Sequence, residues 1–85
     1  MPWDLHVVRS AEKELNRVPS ADRERILAAL EAMRENPFSG DIARLKNQPT
    51  AWRRRVDDWR IFFDLEPDRQ LIIVATIRRR TSSTY

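Results

Sequence analysis

Between Trp52 and Phe63 the chain reads WRRRVDDWRIFF, which sets four arginines among aromatic and β-branched residues. Asp57-Asp58 suits a two-residue hairpin turn, so that Val56 pairs with Trp59, Arg55 with Arg60 and Arg53 with Phe62. Strand side chains alternate between faces, so Arg53, Arg55, Arg60 and Phe62 share one face. Trp52, Val56, Trp59, Ile61 and Phe63 share the other, which is the core side. Arg55 and Arg60 then stand directly cross-strand, where like charges repel. A bound anion removes that penalty, and the planar guanidinium fork matches phosphate oxygens. Arg54 falls on the core side. We expect it at a sheet end, with its stem packed and its guanidinium in water.

The wider charge distribution agrees with a cationic site. Residues 1–43 carry six Arg/Lys against eight Asp/Glu, and residues 44–85 carry ten against five, nine of those ten being Arg. A basic half on a folded domain points to a polyanionic partner; a solvated basic surface fits the same numbers. Beyond the hairpin stand Arg78-Arg79-Arg80 and Tyr85. If the last strand runs beside Trp59–Asp64, Tyr85 reaches the basic face, where its ring can stack on an unpaired base. A frayed basic tail is the other reading. Arg44 and Lys46 are either further grips on a nucleic-acid backbone or solvated loop charge.

The chain has no Cys, one His and no acidic cluster of metal-ligand spacing. We therefore expect no metal and no cofactor, and neither a thiolate site nor a His-pair mechanism. His6 lies far from the basic cluster in sequence and reads as structural packing. The chemistry that remains is electrostatic. RNA carries its own nucleophile, the 2′-hydroxyl, beside each phosphate; fixed cations can align it and neutralise the crowded transition state.

The elements that must hold these side chains fit one small domain, residues 1–85. Trp3–Val8 reads as a strand. Ser10 is placed to cap a helix bearing Ala11, Leu15 and Val18, which Pro19 stops. Ser20 is placed to cap a second helix, with Asp22 in its first turn and an apolar stripe of Ile26, Leu27, Leu30 and Met33. Asn36-Pro37 ends it, and the two helices form an antiparallel pair. Residues 37–51 read as a loop, with the only Gly. Strands follow at Trp52–Val56, Trp59–Asp64 and Leu71–Ile77, the last two joined through Glu66-Pro67-Asp68. The order β-α-α-β-β-β makes an α+β domain with a mostly antiparallel sheet. No apolar run approaches ~18 residues and no hydrophobic leader is present, so neither a membrane span nor a signal peptide is expected; the lack of Cys fits the cytoplasm.

Several short motifs stand in a specific order. They are A-x-K-E-L (Ala11 to Leu15), Val18-Pro19, R-I-x-x-A-L (Arg25 to Leu30), Arg44-Leu45-Lys46, W-R-x-R-V-x-D-W-R-I (Trp52 to Ile61) and a late R-R…Y. With this layout the chain resembles the RelE/ParE toxin superfamily over essentially its whole length. The resemblance implies a twisted antiparallel sheet with two helices on one face. It also implies a type II toxin–antitoxin toxin that cleaves mRNA on the ribosome and so inhibits translation. Its nuclease face has basic residues at i and i+2 of one strand, an Arg on the next, another after the last strand, and a late Tyr. Arg53 and Arg55, Arg60, Arg79 and Tyr85 match those positions, with Arg78 as the alternative to Arg79.

On that reading Arg55, Arg60, Arg79 and Tyr85 are catalytic, while Arg53, Arg44, Lys46 and Arg78 bind RNA. Two departures stand out. The i and i+2 residues are often Lys in the family, and the residue between them is usually apolar, not Arg54. Arg does not deprotonate in proteins, so these positions can stabilise charge but not act as the general base. The implied partners are a small antitoxin, the ribosome and mRNA, with operator DNA reached only through the antitoxin complex and no membrane. Two other readings share the fold or the charge: a ParE-like inhibitor of DNA gyrase, and a nucleic-acid-binding module without catalysis.

Overall fold

The computed structural model describes residues 2–80. The elements are β1 (Asp4–Val7), α1 (Arg9–Asn16), α2 (Ser20–Glu35), β2 (Asp41–Arg44), β3 (Trp52–Val56), β4 (Trp59–Glu66), a 3₁₀ turn (Pro67–Arg69) and β5 (Leu71–Arg79). The strands form one sheet in the order β1-β5-β4-β3-β2. Only the β1–β5 pairing is parallel.

The α+β architecture is as expected, with one strand more than the sequence suggested. β2 lies inside the segment read as a loop. It offers a single large apolar residue, Ile42, and its backbone groups are satisfied only once β3 is beside it, with Ile42 opposite Arg54. Helix entry also differs. α1 starts at Arg9 behind Val8, and α2 starts at Ser20 behind Pro19, neither with a side-chain cap. Ser10 and Ser20 are thus inside their helices; Pro19 presets the entry geometry of α2 without a hydroxyl.

The core lies between the helices and one sheet face. Ala11, Leu15, Val18, Ile26, Ala29, Leu30 and Met33 pack with Ile61, Phe63, Ile72, Val74 and Ile77 in one buried cluster. Both helices therefore cover the same face. The other face is left to the arginines.

Along β5 the alternation is broken. Phe62 faces Thr76, but Phe63 faces Val74, so Ala75 is an extra residue in the ladder. A bulge of this kind shifts the phase of every residue after it. It allows Val74 and Ile77, three positions apart, both to be buried.

Arg54 departs from expectation. Its half-buried guanidinium folds back on the protein: Nη1 donates to the Ala29 carbonyl at 3.4 Å and to Ser39 Oγ at 3.3 Å. It packs under Gly40, whose φ of +78° lets the chain turn into β2; a Cβ there would meet the Arg54 guanidinium at 2.6 Å. Burial pushes the Arg54 pKa down, although an arginine stays charged in proteins. The residue ties the middle of α2 to the segment that leads into β2.

Candidate nucleic-acid interface

The hairpin at Asp57-Asp58 forms with the expected register. Arg55 faces Arg60, Arg53 faces Phe62 and Val56 faces Trp59. Asp57 takes the left-handed conformation at φ +52°, which short hairpin turns demand. Arg25 of α2 holds its carboxylate at 2.8 Å.

Extending the register across the sheet gives two rows on the open face. The first is Asp41–Arg55–Arg60–Arg78, one residue from each of β2, β3, β4 and β5. The second is Ala43–Arg53–Phe62–Thr76. Adjacent strands lie about 4.8 Å apart, so the first row spans ~14 Å. Arg53 is well covered, with its side chain 15% exposed, whereas Arg55 is 40% exposed.

Above the second row lies a hollow of about 610 Å³. Its described lining includes Arg53, Arg60, Arg78 and Arg79, with Phe62, Ala75 and Thr76 as floor. One wall is the segment from Arg44 to Thr50, including Lys46, Gln48 and Pro49. That wall is anchored where Asp64 Oδ1 accepts the Ala51 amide at 2.7 Å, and Leu45 N donates to the Ala51 carbonyl at 2.8 Å. Arg44 stacks on Trp52 at 5.2 Å, and Phe38 meets the same ring edge-on at 5.3 Å.

Six of the eight residues singled out in the sequence, Arg44, Lys46, Arg53, Arg60, Arg78 and Arg79, thus surround one hollow. Arg55 stands beside it in the first row. Tyr85 lies outside the described residues. Arg78 and Arg79 both line the hollow but hold different places in the ladder. Strict alternation from the buried Ile72 and Val74 would aim Arg79 at the open face; the extra residue at Ala75 hands that place to Arg78, directly opposite Arg60. Arg79 instead faces Trp59, with its guanidinium carbon 5.7 Å from the ring centroid. The Trp59 Nε1 donates in turn to Asp22 of α2 at 3.1 Å.

Two further differences concern acid and imidazole. Asp41, hidden in the supposed loop, puts Oδ1 3.6 Å from Arg53 Nη1 and Oδ2 3.7 Å from Arg55 Nε. An anion already belongs to the arginine face. No sequence signal marked it, because only the β2–β3 register brings it there. His6 is exposed on the edge strand β1, opposite Ile73, and is not packed as expected.

A family model described as the ParE toxin of type II toxin–antitoxin systems, parDE, matches residues 5–83. The chain belongs to this family of toxins. No curated protein matches it in sequence. Among solved structures the toxin is similar to the archaeal RelE–RelB complex from Pyrococcus horikoshii, with TM-score 0.83 at 18% identity, over 98% of this chain and 100% of that one. It is similar to the isolated E. coli RelE toxin, with TM-score 0.79 at 18% identity, over 95% of this chain and 87% of that one. The YoeB/ParE toxin from Agrobacterium tumefaciens gives 0.75 at 21% identity, over 92% and 99%. The toxin thus has the RelE-like fold and sits in the RelE/ParE superfamily. None of its described helices is long and apolar enough to cross a membrane.

Proposed function

We propose that the toxin is an mRNA endoribonuclease that acts on the ribosome without a metal and so arrests translation. The observation that carries this reading is the convergence of Arg53, Arg60 and Arg78 on one hollow, with Arg55 beside it. A gyrase-binding surface has no need of so many guanidinium groups aimed at one cavity. A phosphodiester does, because its transition state gathers negative charge on the equatorial oxygens.

The step is transesterification. The 2′-oxygen loses its proton and attacks the adjacent phosphorus in line, and the bond to the 5′-oxygen breaks. The leaving oxygen takes up a proton, giving a 2′,3′-cyclic phosphate and a 5′-hydroxyl. Arg55, Arg60 and Arg78 neutralise the phosphate, and Arg53 orients it. Tyr85 stacks on a base or moves a proton, since no arginine can accept one. Arg79 supports the site through Trp59, and Arg44 and Lys46 grip the backbone along the wall.

A small antitoxin, as in the RelE–RelB complex of Pyrococcus horikoshii, would cover the arginine face in the cytoplasm and carry the toxin to operator DNA. The description of the matching family as ParE favours a second reading, inhibition of DNA gyrase by binding. Induction of the toxin in the absence of antitoxin separates the two. Pulse labelling should show protein synthesis falling first, with mapped mRNA cuts ending in 5′-hydroxyls and plasmid supercoiling intact. Early loss of supercoiling with a DNA-damage response would replace the nuclease reading by the gyrase one.

A further inference from the structure

The acid on the arginine face has a place in this chemistry. Asp41 sits across from Arg55 in the ladder, and its two oxygens point at two different guanidinium groups. Both distances, 3.6 and 3.7 Å, lie beyond hydrogen-bond range. Arg53 Nη1 is buried and has no hydrogen-bond partner among the described residues, so the carboxylate neutralises it in part without satisfying it. A phosphate oxygen at hydrogen-bond distance satisfies such a donor better. The Asp41 side chain is 56% exposed on an edge strand, free on one side to swing away. Its placement is not incidental. Gly40 and the half-buried Arg54 fix the point where the chain enters β2, and so fix where Asp41 stands.

We propose that Asp41 is a displaceable internal counter-ion, which occupies the place between Arg53 and Arg55 that a backbone phosphate of the RNA takes. The proposal rests on the phosphate-binding reading of the arginine rows. In the free toxin the carboxylate offsets repulsion between the clustered arginines and keeps their guanidinium groups spread for a phosphate. When RNA binds, the carboxylate yields, and the affinity for phosphate is lowered by the work of displacing it. Asp41 is thus a positioning residue that sets affinity, and takes no part in bond breaking.

The test is the binding of a 2′-O-methyl RNA oligonucleotide, which cannot be cleaved, to purified toxin across a salt series. Asp41→Asn keeps the side-chain size and removes the charge. Binding should tighten about two- to fivefold at low salt, the range expected for loss of one exposed ion pair. The plot of log affinity against log salt should steepen by about 0.7, as one more phosphate contact is made at full charge. Asp41→Ala should shift both quantities the same way, which guards against an effect peculiar to the amide. Unchanged or weaker binding in both variants, with Arg55→Ala binding worse than wild type, would overturn the counter-ion role and leave Asp41 a structural partner. Wild-type affinity in Arg55→Ala would instead overturn the phosphate site itself.

Discussion

Arg60 and Arg78 stand directly opposite each other in the β4–β5 ladder, and on its other side Arg60 faces Arg55. Three guanidinium stems in one cross-strand row carry a repulsion that a sheet does not need for folding. The bulge at Ala75 is what completes the row, setting Arg78 opposite Arg60 and Arg79 opposite Trp59. Arg78→Ala should remove toxicity and leave thermal stability nearly unchanged. Arg79→Ala should lose about 0.5–1 kcal/mol through its contact with Trp59, with much of the toxicity kept. Growth assays and thermal melts on the pair decide it; the reverse pattern would return the site to Arg79.

Arg60 is the residue the first row depends on, since it joins Arg55 to Arg78 and lines the hollow. Arg60→Ala should abolish growth arrest with the fold intact. Relief of like-charge repulsion offsets lost packing, so the stability change should stay within roughly 1 kcal/mol. A melt showing severe destabilisation would make Arg60 a structural element in place of a phosphate ligand.

Gly40 and Arg54 should be coupled energetically. Gly40→Ala meets both a left-handed φ of +78° and the Arg54 guanidinium. The backbone penalty alone is about 1–2 kcal/mol. In an Arg54→Ala background the steric part is gone, so Gly40→Ala should cost measurably less there. Denaturant midpoints for the two single variants and the double variant form the cycle. Strict additivity would mean that the guanidinium moves aside without resistance.

Tyr85 remains the sharpest inference from sequence. Base stacking is typically worth ~1–3 kcal/mol, so deleting this residue should slow ribosome-dependent cleavage by about tenfold or more. Tyr85→Phe keeps the ring and removes the hydroxyl. Activity kept in Phe but lost on deletion assigns stacking, whereas loss in both assigns proton transfer. Wild-type cleavage in the deletion would remove Tyr85 from the site.

Local rules settle what is local. The hairpin register followed from Asp57-Asp58 and the alternation on either side, so the facing of Arg55 and Arg60 was readable from one short segment. The two helices and the three later strands were legible for the same reason: their apolar periodicity is strong, and Pro19 and Pro37 punctuate it. What the sequence could not determine all depends on pairing between distant segments. β2 is too short and too polar to declare itself, so Asp41 reached the arginine face only through its register with β3. Arg54 looked like a snorkelling surface residue because its acceptors, Ala29 and Ser39, lie 25 and 15 positions away. Which of Arg78 and Arg79 stands opposite Arg60 turned on a single inserted residue. A bulge is selected by packing of Val74 and Ile77 against the helices, and period two in the strand itself carries no trace of it. The chain by itself determined which residues are cationic and how the hairpin carries Arg53, Arg55 and Arg60; the tertiary structure decided which later cation joins their row, and which anion stands among them.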